Sequence, residues 1–214
     1  MLKFTFEIVL VLLIVSNINA QNPVIPLYNG DFKDTENAYY KDVSNLHNLY
    51  VGEWLYTNGL DSLIIKLRER PMQNVSGRFA SYYIDQLIGE YQYIENGVEK
   101  INTLDNFGQN HTGIADYNLF AYSLKCKNSF PKCIECTDGE KRLVLIIQEP
   151  ALNHLSGLRD NFIMRHYVEN GVEKIKLIFP YYGGNIVIND NTQQLSDIDR
   201  FTVPYGTYIL VKQQ

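Results

Sequence analysis

Three cysteines carry the most reactive side chains of this sequence. Cys126, Cys133 and Cys136 follow the spacing C-x6-C-x2-C within a polar segment, residues 125–141. A C-x2-C pair is half of a tetrahedral zinc site, which Cys126 and one histidine would have to complete. No second C-x2-C pair and no H-x3-H pair is present. We therefore predict a disulfide that closes this long loop, with Cys126 bonded to one of the other two cysteines, and no metal ion.

No other residues form a recognisable catalytic motif. There is no H-E-x-x-H pattern, no G-x-S-x-G motif and no glycine-rich phosphate loop. Asp197 and Asp199 depart from the spacing of a calcium loop and predict a solvated acidic loop instead. The four histidines are scattered along the chain: His47, His111, His154 and His166. The sequence therefore favours a non-catalytic protein, with no catalytic residues and no cofactor.

Residues 1–20 predict a secretory signal peptide. Lys3 supplies a positive charge, Ile8–Val15 is an unbroken apolar run, and Asn19-Ala20 is a small-residue cleavage context. The apolar run is shorter than the ~20 residues that span a bilayer, so it does not predict a membrane anchor. We expect an exported protein, secreted or periplasmic, with no transmembrane segment after signal removal. The expected organisation is a signal peptide at 1–20, an extended lead-in at 21–34 and a single β domain at 35–214.

The composition is that of an ordinary globular domain. With 45% hydrophobic and 20% charged residues, the chain is unlike disordered or collagen-like sequences. Its net charge of −5 lacks the cationic excess of proteins that bind nucleic acids, so no nucleic-acid partner is expected. Aromatic residues are abundant, since 16 tyrosines and 10 phenylalanines accompany one tryptophan. Tyrosines on this scale can fill a core or form a contact surface.

Three Asn-Gly pairs predict β-hairpins. Asn58-Gly59, Asn96-Gly97 and Asn170-Gly171 each separate two strand-like runs, and Asn-Gly tolerates the positive φ of a tight turn. The last two pairs lie within nearly identical segments, YIENGVEKI starting at Tyr93 and YVENGVEKI starting at Tyr167. These segments indicate an internal repeat of a hairpin.

The rest of the pattern predicts an all-β fold. Val43, Leu46 and Leu49 recur at a spacing of three, which predicts a short helix over Thr35–Asn48. No helical crossover of adequate length separates consecutive strands, so a regular parallel α/β sheet is excluded. We predict an antiparallel lipocalin-like barrel with a short N-terminal helix, and a two-sheet β-sandwich as the alternative. Later strands are expected at Tyr117–Leu124, Arg142–Glu149, Asn185–Ile188 and Thr207–Lys212.

The tripeptide Gly52-Glu53-Trp54 resembles the entrance of lipocalin-like barrels. In those barrels the tryptophan closes one end, and a basic residue from a late strand covers its ring. The resemblance implies that Arg200 or Lys212 is that basic residue here. Three further segments carry a wider resemblance: Tyr39–Leu67, Leu87–Glu99 and Val203–Lys212. Through them the chain resembles a family of small secreted proteins from Bacteroidota, classed as a domain of unknown function. That resemblance implies export and a β fold but supplies no catalytic residues, and the cysteine-bearing segment is not part of the family pattern.

Three functional hypotheses follow from these patterns. In the first, a non-catalytic binding protein holds a small apolar or amphipathic ligand in an apolar cavity behind Trp54. In the second, a cell-surface interaction module with a filled interior works through exposed tyrosines. A hydrolase assembled from distant residues is the third. For the tyrosines that could form the surface of the second hypothesis, we favour positions in the core. They are Tyr82, Tyr83, Tyr91, Tyr93, Tyr181, Tyr182, Tyr205 and Tyr208.

Overall fold

The structure, a computed structural model, describes residues 22–29, 33–77, 79–152, 158–181 and 201–213. These residues form eleven β-strands and four single turns of 3-10 helix. Regular structure in the described ranges is therefore almost entirely β. The strands are β1 (Val24–Pro26), β2 (Tyr39–Lys41), β3 (Gly52–Asn58), β4 (Asp61–Ser76), β5 (Ser81–Glu95), β6 (Val98–Asn102), β7 (Leu119–Cys126), β8 (Lys141–Ile147), β9 (Asp160–Glu169), β10 (Val172–Phe179) and β11 (Gly206–Lys212).

Eight strands close into an antiparallel barrel. In ring order they are β3, β4, β5, β7, β8, β9, β10 and β11, and every neighbouring pair is antiparallel. The ring closes where Trp54 and Leu55 of β3 pair with Lys212 and Val211 of β11. Closure removes the unpaired sheet edges that an open sheet exposes. The predicted antiparallel barrel is confirmed, and the two-sheet sandwich is not the fold.

The long strand β5 organises the strands outside the ring. One edge of β5 pairs with β4 along its length. The opposite edge is shared by β2 at Tyr83, by β7 at Ile88 and by β6 from Gln92 onward. Gly89 lies at the β7 contact, where a Cβ would clash with the Lys66 carbonyl and approach Leu67 Cδ2 to 2.5 Å. A side chain at this position would push β4 away from β5.

The barrel interior is lined by side chains from the alternating positions of its strands. On β10, Ile175, Leu177 and Phe179 are at most 1% exposed, whereas the alternating Lys174 and Lys176 point outward and pair with glutamates. The inward rows of β4 and β8 follow the same period of two. Together they form one contiguous apolar cluster that includes Leu63, Ile65, Leu67, Leu143, Leu145, Ile147, Phe162, Met164, Ile175, Leu177, Phe179 and Leu210.

The predicted N-terminal helix is wrong. Within residues 35–48 the structure has β2 and the start of a 3-10 turn, His47–Leu49, and no longer helix. Val43 and Leu49 are 55% and 43% exposed, so their spacing of three builds no buried stripe. The Asp42 carboxylate instead accepts a hydrogen bond from the His47 backbone N–H at 2.7 Å. Side-chain bonds of this kind compete with the helical backbone pattern.

The Asn-Gly pairs lie at hairpin turns, with one shift. Asn96-Gly97 and Asn170-Gly171 are the two-residue tips between β5 and β6 and between β9 and β10, and all four residues have positive φ. Asn58 instead pairs with Asp61, so the first tip is Gly59-Leu60, one residue later than predicted. The predicted strand Asn185–Ile188 and the acidic residues Asp197 and Asp199 lie outside the described residues.

Candidate functional site

One end of the barrel, which we call the Trp54 end, is built by Tyr50, Trp54, His166 and Lys212. Trp54 is 0% exposed and its indole N–H donates to the Tyr50 carbonyl at 2.7 Å. The Lys212 ammonium lies 5.5 Å from the centre of the Trp54 ring, within cation–π range. Lys212 therefore occupies the place that the resemblance gave to a late basic residue. Arg200, the other candidate, lies outside the described residues.

Gly52 allows the backbone conformation with which β3 begins at this end. Its φ is +127°, which strongly favours glycine, and a Cβ there would lie 3.4 Å from Lys212 Cε. Lys212 is further held by Glu173, whose Oε2 lies 3.0 Å from Nζ and 3.1 Å from His166 Nε2. The hydrogen bond from Lys212 lowers the pKa of the Glu173 carboxyl. The Trp54 end is thus closed by the Trp54 ring, the Lys212 ammonium and the Glu173 carboxylate.

A second polar group lies beside this end, and we call it the His47 cluster: Tyr28, Asp42, His47, Glu69 and Asp85. His47 is 0% exposed, and both of its ring nitrogens are engaged. Nε2 lies 2.8 Å from the Tyr28 hydroxyl, and Nδ1 lies 3.0 Å from Glu69 Oε1 and 4.0 Å from Asp42 Oδ2. The cluster can therefore hold or pass a proton between a phenol, an imidazole and carboxylates.

Four separate elements bring the His47 cluster together. Asp42 follows β2, His47 opens the 3-10 turn, Glu69 ends the inward row of β4, and Asp85 belongs to β5. The Asp85 carboxylate accepts the Asp42 N–H at 2.9 Å and the Met72 N–H at 3.0 Å. Met72 has a φ of +49° and lies in the β4 bulge, between Arg70 and Gln73. Asp85 thus fastens the N-terminal segment to an irregular part of the barrel wall.

Burial and neighbouring carboxylates act on two phenols at the His47 cluster. Burial, followed by the charge of Asp42, raises the pKa of the Tyr28 hydroxyl. Burial and a hydrogen bond to Asp85 raise the pKa of Tyr39 to about 12. Both phenols are therefore protonated at neutral pH and act as hydrogen-bond partners of the imidazole and the carboxylate.

Sequence reasoning did not find the His47 cluster, because its members are far apart in the chain. One signal was present. The inward row Leu63, Ile65, Leu67 continues with Glu69, so a period of two places a carboxylate at the end of an apolar row. A charged residue at such a position requires a partner, and His47 supplies it.

The opposite end of the barrel, which we call the aromatic end, is built by Tyr56, Phe162, Phe179, Phe201 and Tyr208. The ring centres of Phe162 and Phe179 lie 4.9 Å apart, and those of Phe179 and Phe201 lie 5.6 Å apart. Tyr56 and Tyr208 meet edge to face at 5.0 Å. Aromatic pairs at these distances stabilise each other beyond simple burial.

Two carboxyl groups lie near this end. Glu149 is 3% exposed and accepts hydrogen bonds from the Thr202 backbone N–H, at 2.8 Å, and from the Thr202 hydroxyl. Burial raises the pKa of Asp160, although hydrogen bonds from the Asn161 backbone and the Tyr205 hydroxyl oppose this shift. The segment after β8 and the segment before β11 are thereby joined across the aromatic end.

The tyrosines divide between core and surface. Tyr91, Tyr93 and Tyr208 are at most 7% exposed and belong to the interior cluster, whereas Tyr181 is 70% exposed. Tyr82 and Tyr83 are half-buried on β5, and Tyr205 is 37% exposed. Tyr182 lies outside the described residues. Among the described tyrosines of this set, few are exposed, so a tyrosine-rich contact surface is smaller than the sequence alone allowed.

The disulfide joins Cys133 to Cys136, and Cys126 is a free, exposed thiol. The predicted participation of Cys126 is wrong, because Cys126 ends β7 on an exposed position while the other two cysteines are at most 4% exposed. Arg142 holds this loop through hydrogen bonds to the carbonyls of Cys126, Ser129 and Pro131. His154, one of the four scattered histidines, lies outside the described residues.

Comparison with known proteins places the chain in a family. In the described part of the chain, no helix has both the length and the apolar character required to cross a membrane. No curated protein and no solved structure matches the chain. A family profile, described as a family of unknown function (DUF6705), matches residues 1–213. The protein is therefore a member of the DUF6705 family.

Proposed function

We propose that this protein is an exported, non-catalytic binding protein that holds a small apolar or amphipathic ligand inside its barrel, entering from the aromatic end. The observation that carries this proposal is the asymmetry of the two ends. Trp54 and its partners close one end with hydrogen bonds and a cation, whereas the other end offers aromatic rings. Barrels of eight strands are wide enough to hold one small ligand when their side chains leave room.

The chemistry of the interior supports an amphipathic ligand. Its walls are apolar along most of the barrel, and phenolic hydroxyls are added toward the aromatic end. The Tyr208 hydroxyl donates to the Pro204 carbonyl at 2.5 Å, and the Tyr91 hydroxyl donates to the Gln148 carbonyl at 3.3 Å. Binding sites for small molecules combine such apolar walls with a few fixed polar groups.

Export is part of the proposal. The leader at residues 1–20 has the charge, apolar run and cleavage context of a signal peptide. The disulfide between Cys133 and Cys136 is compatible with this, because disulfides persist in oxidising compartments.

The test is a titration with 8-anilinonaphthalene-1-sulfonate, an amphipathic fluorophore, followed by displacement with dodecanoic acid. We expect saturable binding by the native protein and a loss of about tenfold or more in affinity for Tyr208→Ala. Tyr122→Ala is the matched control, because Tyr122 is 67% exposed on the outside of β7 and its removal leaves affinity unchanged. Trp54 emission verifies that each variant is folded. Absence of saturable binding, or equal losses in the two variants, contradicts the proposal.

A surface-interaction role is the second candidate, and one observation favours it. The Tyr181 ring is 70% exposed and lies 5.2 Å from the Tyr205 ring, so the two form a small aromatic surface. Retention of labelled protein on washed whole cells measures this activity. Retention that is lost in Tyr181→Ala and kept in Tyr208→Ala supports the surface role, and equal retention of all three proteins argues against it.

A further inference from the structure

We propose that Asp42, His47 and Glu69 of the His47 cluster bind a divalent transition-metal ion, for which Zn²⁺ is the probe. This site is separate from the proposed ligand site, because it lies beside the Trp54 end rather than at the aromatic end. One ligand atom from each of the three residues lies within 4.8 Å of the other two. No other group of three such side chains is found in the described residues.

The distances fit a zinc ion with little movement. Zinc binds imidazole nitrogen and carboxylate oxygen at ~2.0–2.2 Å, so neighbouring ligand atoms in a tetrahedral site lie ~3.3 Å apart. The distance from His47 Nδ1 to Glu69 Oε1 is 3.0 Å, and that from Nδ1 to Asp42 Oδ2 is 4.0 Å. The carboxylate oxygens of Asp42 and Glu69 lie within 4.8 Å of each other. A contraction of at most about 1.5 Å therefore completes three protein ligands, and water takes the fourth position.

The surroundings orient the histidine and the Asp42 carboxylate for binding of the ion. In the metal-bound form Nδ1 is deprotonated and Nε2 carries the proton, which it donates to the Tyr28 oxygen at 2.8 Å. The Asp42 carboxylate is oriented by the His47 backbone N–H at 2.7 Å and by the Ser44 hydroxyl at 3.0 Å. Hydrogen bonds that orient a ligating histidine and a ligating carboxylate are the usual support of a metal site.

The charge of the cluster also calls for a cation. Asp42 and Glu69 bring two carboxylates to one imidazole, which is the ion-pair partner of both, and the Asp85 carboxylate accepts the Asp42 backbone N–H. Buried carboxylates are costly unless a positive charge or a metal compensates them. The site is reachable from solvent through Glu69, whose side chain is 30% exposed, whereas that of His47 is 1% exposed.

The ligand set selects the class of metal. One imidazole with two carboxylates suits zinc and similar transition metals, whereas Ca²⁺ requires 6–8 oxygen ligands. We therefore expect Zn²⁺ to bind and Ca²⁺ at the same concentration not to compete.

The experiment is calorimetric titration of ZnCl₂ into the metal-free full chain carrying Cys126→Ser, which removes the exposed thiol as a competing zinc ligand. Glu69→Gln in this background removes one proposed ligand. Glu173→Gln is the matched control, because Glu173 also contacts a histidine but has Lys212 beside it instead of a second carboxylate. We expect one zinc site in the parent, an affinity lower by about tenfold or more for Glu69→Gln, and an unchanged affinity for Glu173→Gln.

A second readout separates ligand loss from misfolding. Thermal unfolding monitored by Trp54 emission is recorded for each protein with and without ZnCl₂, because an ion that binds only the folded state raises Tm. At the same zinc concentration, Tm should rise in the parent and in Glu173→Gln and should rise less in Glu69→Gln. If the parent takes up no zinc, or Glu69→Gln binds it as tightly as the parent, the metal site is rejected.

Discussion

The hairpins β5–β6 and β9–β10 carry nearly the same residues around their turns but take different places in the barrel. β9 and β10 are both members of the ring, and β10 pairs with β9 and β11. Among the strands of the described residues, β6 pairs with β5 alone and lies outside the ring. Both turns use Asn-Gly with φ near +50° at asparagine and near +76° at glycine. The two hairpins therefore share the same kind of turn, and the surroundings of each hairpin decide whether its second strand joins the ring.

The two copies also face the barrel differently. Tyr93 is 4% exposed and belongs to the interior, whereas Tyr167 is half-buried on the outside with Arg165 over its ring at 5.4 Å. A bulge in β6 corrects for this difference. Ile101 pairs with Tyr93 because Lys100 is an additional residue, while the regular ladder pairs Ile175 with His166. Both isoleucines consequently turn toward the interior, since one extra residue exchanges the two faces of a strand.

The residues after each copy explain the different strand lengths. After Ile175 the alternation continues through Leu177 and Phe179, so β10 can bury a long inward row. After Ile101 the chain turns polar, and the Thr103 hydroxyl donates to the Tyr91 carbonyl while accepting the Tyr91 N–H, both at 3.0 Å. Thr103 thus occupies the hydrogen-bonding groups that a continuing strand would use, and β6 ends.

The largest expected difference between the two copies comes from deleting the equivalent lysine, which is Lys100 in the first copy and Lys174 in the second. Deletion of Lys174 shifts the register of β10 by one residue and turns Ile175, Leu177 and Phe179 outward. Deletion of Lys100 removes the bulge and keeps Ile101 opposite Tyr93. We expect loss of the cooperative unfolding transition in the first variant, and a change of about 1 kcal/mol or less in the second.

Urea unfolding followed by Trp54 emission and near-UV circular dichroism measures both deletions. Equal loss of structure in the two variants would show that the bulge at Lys100 is required, and would contradict the proposed difference between the copies.

The next effect compares the same isoleucine in each copy. Ile175 is 0% exposed and packs in the interior, so Ile175→Ala should lower the free energy of unfolding by about 2–5 kcal/mol. Ile101 is only half-buried, so Ile101→Ala should cost about 1 kcal/mol. Chemical denaturation of the two variants at constant pH checks this. Similar costs would mean that β6 is as firmly packed as β10.

The smallest effect concerns the second glutamate of each copy. Glu173 has a lower pKa in the folded protein than its ordinary 4.5, because Lys212 and His166 contact the carboxylate. Its ionised form therefore stabilises the fold above pH 4.5, and this contribution disappears as the pH falls through the lower folded-state pKa. We expect Glu173→Gln to cost less than about 1 kcal/mol at neutral pH, and nothing in strong acid.

Glu99→Gln is the matched control for this prediction. Glu99 accepts hydrogen bonds from the neutral amides of Gln92 and Asn102, at 2.5 and 3.0 Å, and so its replacement should change stability less. Denaturation from neutral to strongly acidic pH measures both. A cost for Glu173→Gln that is constant over this range would show that the contact with Lys212 contributes no stability.

Much of the barrel could be predicted from local patterns. The alternation of β10 and the Asn-Gly turns at 96–97 and 170–171 act over a few residues, and they formed as the sequence indicated. The spacing of Val43, Leu46 and Leu49 misled because a period of three has meaning only if the row is buried, and two of the three are exposed. The tip at Gly59-Leu60 differs from the prediction because Asn58 remains in the ladder opposite Asp61.

The site residues could be predicted only in part. Trp54 and Lys212 were found through a resemblance, whereas the His47 cluster joins residues that are 5 to 43 positions apart in its hydrogen bonds. The disulfide partner of Cys133 depended on which cysteine side chains turn toward each other, and Cys126 turns to solvent beside Lys141. In neither arrangement can the contact partners be read from a short window of sequence.

The sequence by itself determined the class of fold, because strand alternation and positive-φ turns are encoded by side chains within a few residues of each other. Tertiary structure alone decided the closure of β3 onto β11, the exclusion of β6 from the ring and the meeting of Asp42, His47 and Glu69. These features depend on which strand pairs with each part of β5, and on which inward-facing row of side chains ends in a charged residue. Competition for a shared strand edge and burial of a charge are properties of the assembled barrel, and they act between residues that the chain itself keeps far apart.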